Sequence, residues 1–309
     1  MKRIFLLTAT ILALSAQADD HCQPSEWGPD DQVGAANRIT TASVLEASKL
    51  IKTGKTYSLG ITIDSNTPAF APRGLSLYVV QPNQQEGARP FGDVTYNDDI
   101  FEGWLGIGSQ IDGLGHLGHK GMYYNCNHAN EFSGISGLTK LGIENVPPIV
   151  ARGVVLDMAA HYGVAHLEAG QYFTVEDVEA VAKKQNTPIR EGDVVLFHTG
   201  WTDAKLKSDP TAWVAGEPGQ SEEVADYMAS KKVVAVGADT WGVDVVPSQS
   251  EDKPFYGHVV YLKENGIYIF ETMNTGPLVR DEAYEFLFVL GQAKVRGAVQ
   301  MIINPIAIR

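Results

Sequence analysis

The chain has 309 residues, 44% hydrophobic and 20% charged, with 37 Asp and Glu against 24 Lys and Arg for a formal charge of −13. That balance excludes the clustered Lys and Arg that hold nucleic acid, whereas acidic clefts concentrate cations. The length exceeds a minimal domain and stays within one large α/β domain, and no Pro/Ser linker, low-complexity run or internal repeat divides it.

Met1-Lys2-Arg3 is basic, Ile4 to Leu14 is apolar and Ser15-Ala16-Gln17-Ala18 is a run of mostly small residues, the pattern of a secretory signal peptide. The apolar run is well short of the roughly 20 residues that span a bilayer. Cleavage is therefore expected after Ala18, leaving 19–309 as a secreted or periplasmic domain; loss of Lys2 and Arg3 moves the formal charge from −13 to −15. No later segment is apolar for long enough to enter a membrane. Cys22 and Cys126 can form one disulfide in an oxidising compartment, tying the mature N-terminus to the loop after a His-rich segment.

Further along, Thr40 or Thr41 caps a helix whose Val44, Leu45, Ala47, Leu50 and Ile51 follow a 3.6-residue period and which Gly54 closes. Tyr57, Leu59, Ile61 and Ile63 then alternate, as in a half-buried strand. Strands are expected from Leu75 to Val80, Val150 to Leu156, Val194 to Phe197 and Val233 to Val236, with helices from Val175 to Lys184 and Glu222 to Lys232. Near the C-terminal end, His258-Val-Val-Tyr-Leu and Ile267-Tyr-Ile-Phe-Glu271 flank Asn265-Gly266, the preferred centre of a two-residue turn, so a β-hairpin is predicted. In that register Val260 pairs with Glu271, which puts His258 and Glu271 diagonally on one face with Cα atoms about 7 to 8 Å apart. A one-residue slip would separate them.

The second informative stretch is Gly108-Ser-Gln-Ile-Asp-Gly-Leu-Gly-His116. Gln110 and Asp112 share a face of a strand, and the glycines permit a turn that brings His116 back toward them. With His258 and Glu271, Asp112 and His116 make two carboxylates and two imidazoles, a set that can hold a divalent cation and leave positions open for water. His116, with an ordinary pKa of about 6.5, is the natural proton shuttle if it is not itself a ligand.

Here the sequence resembles the cyclase family, which includes bacterial kynurenine formamidases and isatin hydrolase-like enzymes and carries a His-x-Gly-Thr-His-x-Asp-x-Pro-x-His motif followed far downstream by a His and a Glu. Laid on this chain, the motif's Gly and Thr fall on Gly108 and Ser109, its central His on Gln110, its Asp on Asp112, its Pro on Leu114 and its last His on His116. The first His falls on Gly106. Trp27-Gly-Pro-Asp-Asp-Gln-Val-Gly-Ala-Ala-Asn37, Gly237-Ala-Asp-Thr-Trp241, Glu271-Thr-Met-Asn and Asn304-Pro-Ile-Ala-Ile look like further blocks of the family.

The resemblance implies a single domain with a mixed β core and flanking helices, of the swivelling β/β/α type, in a homodimer or higher homo-oligomer. It implies a small-molecule substrate and one or two divalent ions, manganese or zinc, bound by Asp112, His258 and Glu271 with Gln110 in the central position, and His116 as general acid/base. Trp27 lines the substrate pocket by the same resemblance, and the aromatic residues Tyr123, Tyr124 and Trp241 suit small rings. With Gly106 and Gln110 in place of two imidazoles, an oxygen-rich site favours a harder ion, manganese or magnesium, over zinc.

Other residues carry two readings each. His119 or His128 compensates for the missing imidazoles or is an ordinary loop histidine. Asp239 faces the site or caps a turn. His198 is expected to be a hydrogen-bonded structural residue, and His161 and His166 are expected to be solvated in a polar connector. Ser109 lacks the strand-turn-helix elbow of a serine nucleophile. The function expected is hydrolysis of a small amide, cyclic amide or lactone-like substrate; the rivals are a metal-assisted cyclase or dehydratase and a non-catalytic exported binding protein.

Overall fold

A computed structural model describes residues 22–81 and 96–309; the expected signal peptide, 1–18, lies outside the described residues. The centre is a nine-stranded mixed sheet. Its strands are β1 (Thr56–Ser58), β2 (Gln110–Asp112), β3 (Ile149–Asp157), β4 (Val194–His198), β5 (Ala235–Ala238), β6 (Tyr268–Glu271), β7 (Glu285–Leu290), β8 (Gln300–Ile302) and β9 (Ile306–Ile308). They lie in the order β1-β9-β7-β3-β4-β5-β6-β2-β8. The four middle strands β3 to β6 run parallel, and the pairings on either side of them are antiparallel.

Parallel neighbours need crossovers, and the sequence supplies helices for them. Val175–Lys184 connects β3 to β4, and Glu222–Ser230 connects β4 to β5. The first has Thr174 and Asp177 in a reciprocal capping box, acidic residues in its first turn and Lys183 and Lys184 in its last. The helix starting at Thr41 is likewise boxed by Thr40 and Ser43. Val194 to Phe197 and Ala235 to Ala238 are buried throughout, which explains why they read as continuous apolar runs rather than alternating ones.

The predicted hairpin at the C-terminal end does not form. β6 lies parallel to β5, so the preceding chain must cross over. His258 ends a short helix, Tyr256–His258, that continues as a π-helix over Val259–Asn265. Gly266 adopts φ 61°, the left-handed conformation that terminates a helix rather than the centre of a hairpin turn. It also packs against the N-terminal block: Ala35 N donates to Gly266 O at 2.8 Å, and a Cβ on Gly34 would lie 2.4 Å from that oxygen. The alternating segment from Tyr57 is strand only over Thr56–Ser58; beyond it the chain is pinned by Gly60 N donating to Asn304 Oδ1 and Ile61 N to Ser109 Oγ.

Cys22 and Cys126 are joined by a disulfide, with Cα atoms 5.1 Å apart. Among the described residues no helix is long and apolar enough to cross a membrane. Outside the main sheet, Leu75–Val80 pairs with Asp98–Gly103 in a two-stranded ribbon.

Candidate metal centre

β2 lies between β6 and β8, and its register determines what faces what. Gln110 is opposite Glu271 and Ile302; Asp112 is opposite Ile269 and Gln300. Since alternate residues of a strand share a face, Gln110, Asp112, Glu271 and Gln300 form one polar patch. All four are buried.

His258 reaches this patch from the helical crossover. Its Nδ1 lies 2.7 Å from Asp244 Oδ2, and its backbone N–H donates to the same oxygen at 3.2 Å. A carboxylate at that position accepts a hydrogen bond from Nδ1–H and leaves Nε2 facing the patch, the arrangement found behind metal-bound imidazoles. Nε2 lies 3.2 Å from Glu271 Oε1 and 3.7 Å from Asp112 Oδ2. Among the described residues, Asp112, His258 and Glu271 form the one group of three or more such side chains with ligand atoms all within 4.8 Å of one another.

The electrostatics show what the cluster lacks. Asp112 Oδ2 is buried without a hydrogen-bond partner. Burial, followed by repulsion from Asp112, pushes the Glu271 carboxyl up to about 7 despite His258 and Arg73. Burial works against a charged His258, but the Asp244 and Glu271 carboxylates outweigh it and hold its pKa well above the usual value. A further buried carboxyl, Glu217, is raised by burial and then by the Glu271 charge; its Oε2 accepts from Gly242 N at 3.1 Å and its Oε1 has no partner. A divalent cation held by Asp112, His258 and Glu271 would satisfy the orphaned oxygen and offset this excess of buried negative charge. The residues present therefore fit a divalent ion.

His116 follows β2 through a tight turn, its N–H donating to Gly113 O at 2.9 Å. Its Nε2 lies 4.0 Å from Asp112 Oδ2, and its side chain keeps 20% exposure. Burial, opposed by Asp112, lowers its pKa below the usual histidine value, which favours the neutral imidazole. Gln300, whose Nε2 lies 3.4 Å from His116 Nε2, lines a cleft of about 910 Å³ together with Tyr78, Trp104 and Gly106.

The remaining sequence candidates are dispersed. Trp241 stacks on Phe70 with ring centroids 5.5 Å apart, its Nε1 buried without a partner, and is followed by Gly242, against which Glu217 and Glu271 pack. Tyr123 packs edge-on against Phe132 and over Gly118. Trp27 lies elsewhere, beneath the Arg38 guanidinium in a small pocket with Glu264 and Asn265. Tyr124 bonds Ser25 and Asp31. His119 and His128 flank Met122 in their own loop. Ser109 donates to Thr272 O and accepts from Ile61 N, so its hydroxyl is committed to structure.

Three residues that hold this centre together were not singled out in the sequence: Asp244, Gln300 and Glu217. Gln300 had a signal, a polar side chain inside the apolar run Val-Gln-Met-Ile-Ile. Asp244 had none, because only the crossover brings it to His258.

A crystal structure described as a novel cyclase is 31% identical, with a TM-score of 0.84 over 92% of this chain and 98% of that one. Isatin hydrolase A from Ralstonia solanacearum superposes with a TM-score of 0.63 at 17% identity, over 88% and 98% of the two chains. An isatin hydrolase bound to the product analogue thioisatinate gives 0.61 at 17% identity, over 87% and 98%. No protein of curated function matches the chain. The family profile described as "Putative cyclase" matches residues 57–245, and the chain belongs to that family, whose fold it shares with isatin hydrolases.

Proposed function

We propose that this chain is a metal-dependent hydrolase that opens a C–N or ester-type bond, other than a peptide bond, in a small amide, cyclic amide or lactone-like substrate. The observation that carries the reading is the orphaned Asp112 Oδ2, buried beside His258 Nε2 and Glu271. A divalent ion bound there, manganese or zinc with the oxygen-rich donor set favouring manganese, polarises a carbonyl oxygen and acidifies a water. Asp112, His258 and Glu271 would hold the ion, with Asp244 behind His258 Nδ1 directing Nε2 toward it. His116, whose lowered pKa favours the neutral imidazole and whose side chain keeps 20% exposure, takes a proton from the attacking water and returns it to the departing nitrogen or oxygen. Tyr78, Trp104 and Trp241 supply aromatic surface for a small ring.

The same reading makes the protein exported and homo-oligomeric. The Cys22–Cys126 disulfide supports an oxidising compartment. Leu77, Val79 and Phe101 expose apolar surface along one face of the ribbon that a second copy would cover.

A second reading, proton removal without addition of water, is favoured by the description of the 31% identical relative as a cyclase. Turnover of isatin, N-formylkynurenine and aryl lactones in ¹⁸O-labelled water separates the two. Label in the product supports hydrolysis, whereas an unlabelled product removes it. His116→Ala is expected to keep its ion and lose about 10²- to 10⁴-fold in kcat.

A further inference from the structure

Both carboxylates of the centre present one oxygen inward and have the other capped by a neutral amide. Gln300 Nε2 donates to Asp112 Oδ1 at 2.6 Å. Gln110 Nε2 donates to Glu271 Oε2 at 2.5 Å and lies 3.3 Å from Asp112 Oδ1. The orientation of each amide is dictated by its partner, since a flipped amide would set its own oxygen against a carboxylate oxygen at the same separation. An amide N–H₂ has no lone pair to give a metal. The capped oxygens are therefore closed to a second ion, while Asp112 Oδ2 and Glu271 Oε1 remain directed at His258 Nε2.

We infer that Gln300, with Gln110, restricts this centre to a single divalent ion by capping the outer oxygens of Asp112 and Glu271. The inference rests on the metal-binding reading above. Gly106 is part of the same device. A Cβ at that position would lie 2.4 Å from Gln300 Oε1 and 2.7 Å from its Cδ, so the absence of a side chain at 106 makes the space in which the Gln300 amide turns onto Asp112. Gln300 also lines the cleft, with its Nε2 3.4 Å from His116 Nε2. Gln300 is thus a positioning residue: it aims the free oxygen of Asp112 at one point.

The test is to load the purified full chain with Mn²⁺, measure bound metal by elemental mass spectrometry after gel filtration, and compare that total with the six-line electron paramagnetic resonance signal of isolated Mn²⁺. Wild type is expected to bind one ion, all of it seen as isolated Mn²⁺. Gln300→Glu keeps the shape but replaces a donor with a carboxylate oxygen beside Asp112; its stoichiometry is expected to rise toward two, with loss of the isolated-ion signal as neighbouring spins couple. Gln300→Ala releases Asp112 without adding a ligand and is expected to bind one ion about 10- to 100-fold more weakly. Two spin-coupled ions in wild type, or wild-type stoichiometry and affinity in both variants, would overturn the inference and leave the metal reading standing. A wild-type protein that holds no ion at all would remove the metal reading, and this inference with it.

Discussion

Two buried His–Asp pairs sit in the same half of the sheet and have opposite characters. His198 closes β4, and its Nδ1 lies 2.8 Å from Thr275 Oγ1 and 3.3 Å from Asp239 Oδ2. Asp239, just past β5, accepts from Thr199 N, Thr199 Oγ1 and Gly200 N at 2.6 to 2.8 Å. Every oxygen there has a donor, and the carboxylate ties the turn after β4 to the end of β5. His258 and Asp244 look alike at first, with Asp244 accepting from Gly257 N and His258 N and lying 2.7 Å from His258 Nδ1. The difference lies on the far side of the imidazole, where Nε2 faces two carboxylates and one oxygen with no donor. A buried His–Asp pair is therefore no sign of chemistry in itself; unmet demand beyond the pair is.

The comparison breaks most decisively at Asp112. Asp112→Asn is expected to cut bound Mn²⁺ from about one ion per chain to less than about one-tenth, read by elemental mass spectrometry. In chelator-treated protein the same change should leave folding stability unchanged or higher, because it relieves the repulsion between the buried Asp112 and Glu271 carboxylates. Retention of metal at wild-type affinity, or a large fall in metal-free stability, would mean that the orphaned oxygen serves the fold.

Asp239→Asn is the mirror test. An amide in place of that carboxylate turns an N–H₂ toward at least one of three donors, and the expected cost is about 3 kcal/mol of unfolding free energy. Bound Mn²⁺ per folded chain should not change. Denaturant unfolding together with metal analysis reads both, and loss of metal with intact stability would place Asp239 in the site instead.

What the sequence made legible follows the same division. The helix Val175–Lys184 and the strand Leu75–Val80 begin and end where their caps, charges and alternation put them, because those signals are local. Gln110 and Asp112 share a strand face as read, and His116 does return through a glycine turn. The His258 segment was misread because a short apolar run before Asn-Gly suits a hairpin as well as a buried helix, and the choice was made by β6 pairing parallel to β5, a long-range fact. His258 and Glu271 still meet, though through a crossover rather than a ladder. Gln300 and Asp244 could not be assigned from spacing, since β8 and the crossover bring them in from distant sequence.

A third His–Asp contact, near the surface, sets the lower end of the scale. His161, expected to be solvated, lies 2.9 Å from Asp177, which also accepts from Tyr162 Oη and from the N–H and hydroxyl of Thr174 at the start of its helix. Against the upward push of partial burial, these donors, the Thr174 N–H first, hold the Asp177 carboxyl at about 2. A folded-state pKa below the unfolded value stabilises above the unfolded pKa, near pH 4, and that contribution is lost as pH falls toward 2. The full shift corresponds to about 2.4 kcal/mol, but the carboxylate keeps solvent contact and its pairings are screened, so about 1 kcal/mol is expected. Denaturant unfolding of wild type and Asp177→Asn should differ by that amount at pH 7, with about half of the difference gone by pH 3. A difference that persists unchanged at pH 3 would mean that Asp177 acts through its shape in the capping box, and that its charge contributes nothing.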